Sequence, residues 1–106
     1  MKRTLEKIID YAATVAEPEM IILFGSMANG KTNAFSDVDL LIVSENILRK
    51  KAVSTRIASY ASELSLKADV LIYSKSEIER ECQKTNSFIG EIMKSGEIVY
   101  GGALYD

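Results

Sequence analysis

Apolar and polar positions follow two rhythms along this chain, and each change of rhythm marks an element. Over "RTLEKIIDYAATVAE" (3–17), Leu5, Ile8, Ile9, Ala12 and Val15 recur at helical spacing with polar residues between them. Pro18, the only proline, closes that helix. "MIILF" (20–24) and "VDLLIV" (38–43) are short, nearly uninterrupted apolar runs, the pattern of strands covered on both faces. From about Ile47 to Leu66 the helical rhythm returns, with Leu48, Ala52, Val53, Ile57, Tyr60, Ala61 and Leu64 along one stripe. "DVLIY" (69–73) reads as a third strand. "SKSEIERECQ" follows as a helix with Ser76 as its N-cap, then "SFIGEIMKSG" as a helix ending at Gly96, and "EIVYG" as a short edge strand. Between the first two strands, "SMANG" can form one helical turn stopped by Gly30, and "KTNAFS" is loop-like.

Helices alternating with strands predict an α/β (α+β) fold with one mixed sheet of about four strands and helices packed against it. The chain, 106 residues long, suits one domain over 1–106. The short connection between strands one and two favours an antiparallel pair. The long helix between strands two and three provides the crossover that parallel neighbours need.

Composition narrows the chemistry. Hydrophobic residues make up 47%, enough for a real core. A net charge of −2 supplies no general attraction for nucleic acid or anionic membrane, so no direct nucleic-acid binding is expected and any polyanion must be met at a local site. The single cysteine, Cys82, precludes an internal disulfide, fits a reducing compartment, and reads as a half-buried helix residue. With no histidine anywhere, His-ligated zinc, Ser-His-Asp hydrolysis and histidine-based nuclease chemistry are excluded. No run is long and apolar enough to span a bilayer, so a soluble cytoplasmic chain without membrane attachment is expected.

Candidate chemistry collects at the strand ends. Asp37 and Asp39 flank Val38, and strand alternation sends both carboxylates to one side. Asp69 opens the third strand, whose start lies beside that of the second if the two run parallel. Like charges gathered there call for a cation, and an all-oxygen set suits magnesium or manganese, with three carboxylates able to bridge two ions roughly 4 Å apart. The plainer alternative makes each aspartate a turn or cap residue. At the end of the first strand, Gly25-Ser26 reaches the same corner, where glycine permits a sharp turn and close approach. The free N–H groups of a following helical turn, with the Ser26 hydroxyl, would suit phosphate. A simple turn with a capping serine is the alternative.

Gly-Ser, ten residues, then Asp-x-Asp resembles the signature of the DNA polymerase beta-like nucleotidyltransferases. "GSMANGKTNAFSDVDLLIV" is most similar to their minimal prokaryotic members, and "GEIVYG" to that group's closing strand. The resemblance covers essentially the whole chain. It implies that Gly25 and Ser26 contact a triphosphate, with Lys31 and Ser36 as further nucleotide contacts. It also implies that Asp37, Asp39 and Asp69 are catalytic and hold Mg2+, or Mn2+ in its place, Asp69 helping to deprotonate the attacking hydroxyl. Many relatives carry arginines in the turn where this chain has Met27 and Asn29, and Lys31 is the nearby cation.

The implied reaction moves a nucleoside monophosphate, AMP from ATP, to a hydroxyl. Minimal members act with a small helical HEPN partner, in several pairs a ribonuclease toxin AMPylated on tyrosine by its antitoxin. Two other readings stay open: a small-molecule acceptor such as an aminoglycoside, and a non-catalytic subunit that neutralises a HEPN partner by covering it. Homo-oligomerisation is compatible with all three. Tyr11, Tyr60 and Tyr73 read as packing residues, Tyr100 and Tyr105 as tail residues able to meet a partner, and the basic residues of "ILRKK" as the solvated face of the long helix.

Overall fold

The computed structural model describes residues 3–25, 37–45 and 47–101. Helix α1 (Thr4–Ala16) leads into strands β1 (Met20–Phe24) and β2 (Val38–Val43). Helix α2 (Lys50–Glu63), strand β3 (Ala68–Tyr73), helices α3 (Lys75–Cys82) and α4 (Phe88–Ser95), and strand β4 (Glu97–Gly101) follow. They form a four-stranded mixed sheet in the order β3-β2-β1-β4. β2 lies antiparallel to β1 and parallel to β3, as connection lengths require, and β4 pairs antiparallel with β1 at the other edge.

Strand periodicity divides the core in two. Ile21 and Leu23, with Val38, Leu40 and Ile42, pack on one face against Ile8, Ala12 and Ala16 of α1 and Ile57 and Ala61 of α2. Their neighbours Ile22, Leu41 and Val43 pack on the other face against Ile78 of α3 and Ile89 and Ile92 of α4. Helices therefore cover both faces, which is why β1 and β2 read as continuous apolar runs. Every one of the β2 apolar residues is buried.

Local chemistry sets the boundaries. The chain leaves α1 through Glu17 in the left-handed region (φ 44°), and Pro18 follows, unable to continue the helix. Ser74 caps α3 by accepting from the Glu77 N–H at 3.2 Å, while Glu77 Oε1 accepts from the Ser74 N–H at 2.9 Å, a reciprocal capping box. Ser87 caps α4, its hydroxyl accepting from the Gly90 N–H at 2.9 Å. On β4 the pairing skips from Tyr100 to Ile98 as β1 advances from Ile21 to Ile22, leaving Val99 as an extra bulged residue.

Several expectations are corrected. The N-cap of α3 is Ser74, not Ser76, because Glu77 reaches back to Ser74 and also pairs with Lys50. α2 begins at Lys50, so Leu48 falls before the helix and is almost wholly exposed, and Ala52 also faces solvent. Cys82 is exposed rather than half-buried, since α3 buries only Ile78. Lys50 does not simply solvate its helix, because it crosses to Glu77. The packing tyrosines stand as read: Tyr11 and Tyr60 stack with centroids 4.3 Å apart, and Tyr73 packs against the second core. Tyr100 is exposed. Ser26, Lys31, Ser36 and Tyr105, together with the "SMANG" turn and "KTNAFS", lie outside the described residues. No helix among the described residues is long and apolar enough to cross a membrane.

Candidate active site

Register alone assembles an acidic corner. Asp39 faces Asp69 across the parallel β2–β3 pair and Phe24 across the antiparallel β1–β2 pair. The pairing extends one residue beyond the strands, where the Val38 N–H donates to the Lys67 carbonyl at 2.8 Å. Asp37 then stands opposite Lys67, with a Lys67 Nζ–Asp37 Oδ2 separation of 3.8 Å. By strand alternation Asp37, Asp39, Lys67 and Asp69 share the sheet face carrying Leu41 and Leu71, the face covered by α3 and α4. The result is a two-by-two array at one sheet end, Asp37 and Lys67 in the outer rank and Asp39 and Asp69 in the inner.

The array carries more negative charge than it neutralises. The Asp39 carboxyl is held above the usual carboxylate range, first by burial, then by the charges of Asp69 and Asp37 and a hydrogen bond with Asp69. Lys67 acts against that rise. Its side chain is 74% exposed, so the screened pair with Asp37 offsets little of the repulsion.

Gly25 meets the array from β1. Its φ of +80° lies where L side chains rarely go, and a Cβ there would collide with the Asp39 carboxylate. Any other residue would have to displace either the turn or the aspartate. Glycine's place here thus follows from close packing against a specific oxygen, beyond the requirements of the turn.

A hard divalent cation fits this donor set, which is all carboxylate oxygen, carries an excess of negative charge and is partly desolvated. Asp37, Asp39 and Asp69 are the residues that would hold it. Among the described residues no trio of acidic or cysteine side chains is already gathered tightly enough to enclose an ion, so holding one would draw these carboxylates together.

Four of the residues predicted from sequence, Gly25, Asp37, Asp39 and Asp69, converge on this corner. Sequence reasoning missed Lys67, although its place two residues before Asp69 puts it on the same strand face. It also missed Phe24, the cross-strand partner of Asp39, and Phe88, whose ring meets that of Phe24 edge to face with centroids 5.8 Å apart. Phe24 had a signal, because it immediately precedes the Gly-Ser pair.

Comparison with known proteins identifies the family. Residues 6–102 match the family model "Polymerase beta, Nucleotidyltransferase". MJ0141 of Methanocaldococcus jannaschii, named by inference a protein adenylyltransferase, is 40% identical over 78 residues, covering 74% of this chain and 75% of that protein. Among solved structures, a toxin–antitoxin with AMP-PNP superposes with TM-score 0.67 at 19% identity, covering 94% of this chain and 76% of its own. The complex of tri-AMPylated Shewanella oneidensis HEPN toxin with MNT antitoxin gives TM-score 0.65 at 18% identity, with coverages of 97% and 74%. An MntA–HepT toxin–antitoxin structure gives 0.63 at 18% identity, with coverages of 97% and 74%. At those identities the structures establish a shared fold. Together with the family match along nearly the full length and the close relative, they show that this chain belongs to the polymerase beta nucleotidyltransferase family.

Proposed function

We propose that this chain transfers AMP from ATP to a tyrosine hydroxyl of a HEPN-type partner, with Mg2+ bound by Asp37, Asp39 and Asp69, and that the modification silences the partner. The observation that carries this reading is the convergence of those three carboxylates with Gly25 at one sheet end. The adenylyl donor and protein acceptor are suggested by the name of the M. jannaschii relative and by the AMPylated HEPN toxin seen with an antitoxin of the same fold.

In the transfer, the tyrosine oxygen forms a bond to the α-phosphorus, the bond from that phosphorus to the bridging oxygen breaks, and pyrophosphate leaves. A bound divalent cation would neutralise charge on the phosphate oxygens. Asp69 is the most solvent-exposed residue of the three, which suits its carboxylate to take the proton of the attacking hydroxyl. Asp39, crowded by its neighbours, serves better as a ligand. Gly25 lets its backbone pack directly against the Asp39 carboxylate, which a side chain there would displace.

The test incubates the chain with labelled ATP, magnesium and the protein encoded beside it, in parallel with Asp37→Ala/Asp39→Ala. Label should appear on a partner tyrosine with the wild type, and the variant should lose at least about a thousandfold in rate, two positioning charges being removed at once. A wild type that labels nothing yet still silences the partner would overturn the catalytic reading in favour of a covering subunit.

A further inference from the structure

Phe88 opens α4 and is 63% exposed, an unusual setting for a phenyl ring four residues before the buried Ile92 of the same helix. What holds it there is Phe24: the rings lie at an interplanar angle of 80° with centroids 5.8 Å apart. An edge-to-face pair fixes ring orientation while leaving a ring face uncovered. Phe24 in turn is the cross-strand partner of Asp39 and the residue before Gly25. Phe88 is therefore one ring contact and one cross-strand pair removed from Asp39. Charge on one side and a bare, oriented aromatic face on the other match the two ends of a nucleotide.

Resting on the nucleotidyltransferase reading above, we infer that Phe88 is the nucleobase platform of this enzyme, stacking the base of the bound triphosphate while Phe24 fixes the angle of its ring. A phenyl face binds through area and dispersion, so it prefers the larger purines and does not distinguish adenine from guanine by hydrogen bonding. Selection between them must come from elsewhere, and GTP should bind within a few-fold of ATP at this position.

Calorimetric titration with magnesium present, using a non-hydrolysable ATP analogue and, separately, inorganic tripolyphosphate, tests the assignment. Phe88→Ala should weaken the analogue about tenfold, the scale of one aromatic–base stack, and leave tripolyphosphate within twofold. Phe88→Trp should restore or tighten the analogue. Equal losses for both ligands would show a structural effect and overturn the platform, as would an unchanged affinity for the analogue. If the wild type binds neither ligand, the nucleotidyltransferase reading itself fails and the platform with it. Wild-type binding of both ligands with no selective loss in the variant would sink the platform alone.

Discussion

The two ends of β2 handle polar groups in opposite ways. At its finish, Ser44 is buried, yet its hydroxyl donates to the Ala16 carbonyl at 2.9 Å and its N–H to the Tyr73 carbonyl at 3.0 Å. The polar group there is satisfied and ties α1 and β3 to the strand. At the start, Asp37 and Asp39 face a third carboxylate, with Lys67 at 3.8 Å from Asp37 as partial compensation. One end stabilises the fold; the other holds charge in a state that a cation would relieve. Four consecutive buried apolar residues, Leu40 to Val43, connect them and hold the acidic end in place. The site proposed at one end thus depends on stability supplied along the rest of the strand.

The largest expected effect comes from pairing Ile42→Ala with Asp39→Asn in denaturant unfolding. Ile42 is fully buried, and its truncation should cost about 3 kcal/mol through lost transfer free energy and a residual cavity. Asp39→Asn should leave stability at neutral pH unchanged or higher, because it removes one of the repelling charges. A substantial loss of stability in Asp39→Asn would erase the proposed contrast between the ends.

Acid titration sharpens the contrast further. The folded-state pKa of Asp39 is raised above 3.8, so its contribution is fully present below that value and is lost as pH rises through the raised one. Glu77 behaves oppositely. Lys50 and the Ser74 N–H hold its carboxyl down to about 2 from 4.5, so its stabilisation is present above 4.5 and is lost as pH falls toward 2. Thermal melts between pH 2 and 6 should therefore show Asp39→Asn reducing the loss of stability with rising pH. Glu77→Gln should reduce the loss with falling pH.

Lys67→Gln should have the smallest effect on folding. With 74% of its side chain exposed, the ion pair contributes under about 0.5 kcal/mol, and the melting temperature should barely move. A loss of several kcal/mol would mean that the acidic corner needs its lysine to fold, and would bring the two ends of β2 closer in character.

How much of this was legible in the sequence depended on how far each signal reached. Strands β1 and β2 were readable because burial on both faces leaves an uninterrupted apolar run, and their directions followed from connection length. Asp69 could be placed beside Asp39 because parallel pairing aligns strand starts. The cap of α3 was ambiguous, since Ser74 and Ser76 each stand three residues before a glutamate, at 77 and 79. The choice fell to tertiary contact, Glu77 meeting Lys50 from α2. Leu48 continued a helical stripe in sequence, but the chain before Lys50 is not helical, and periodicity carries no information on where a helix begins. Phe88 was hidden for a related reason: an apolar residue at the head of an amphipathic helix looks like core until its exposure is known.

The bulge at Val99 has a consequence for life in a crowded cell. β4 is an outer strand, and Ile98 and Tyr100 on it are 52% and 41% exposed, the makings of a seam along which copies could stack into fibrils. The extra residue puts the strand's spare N–H and carbonyl groups out of step, so a flat neighbouring strand cannot continue the ladder. A single extra valine thus supplies the kind of irregularity that blunts an exposed, oily edge.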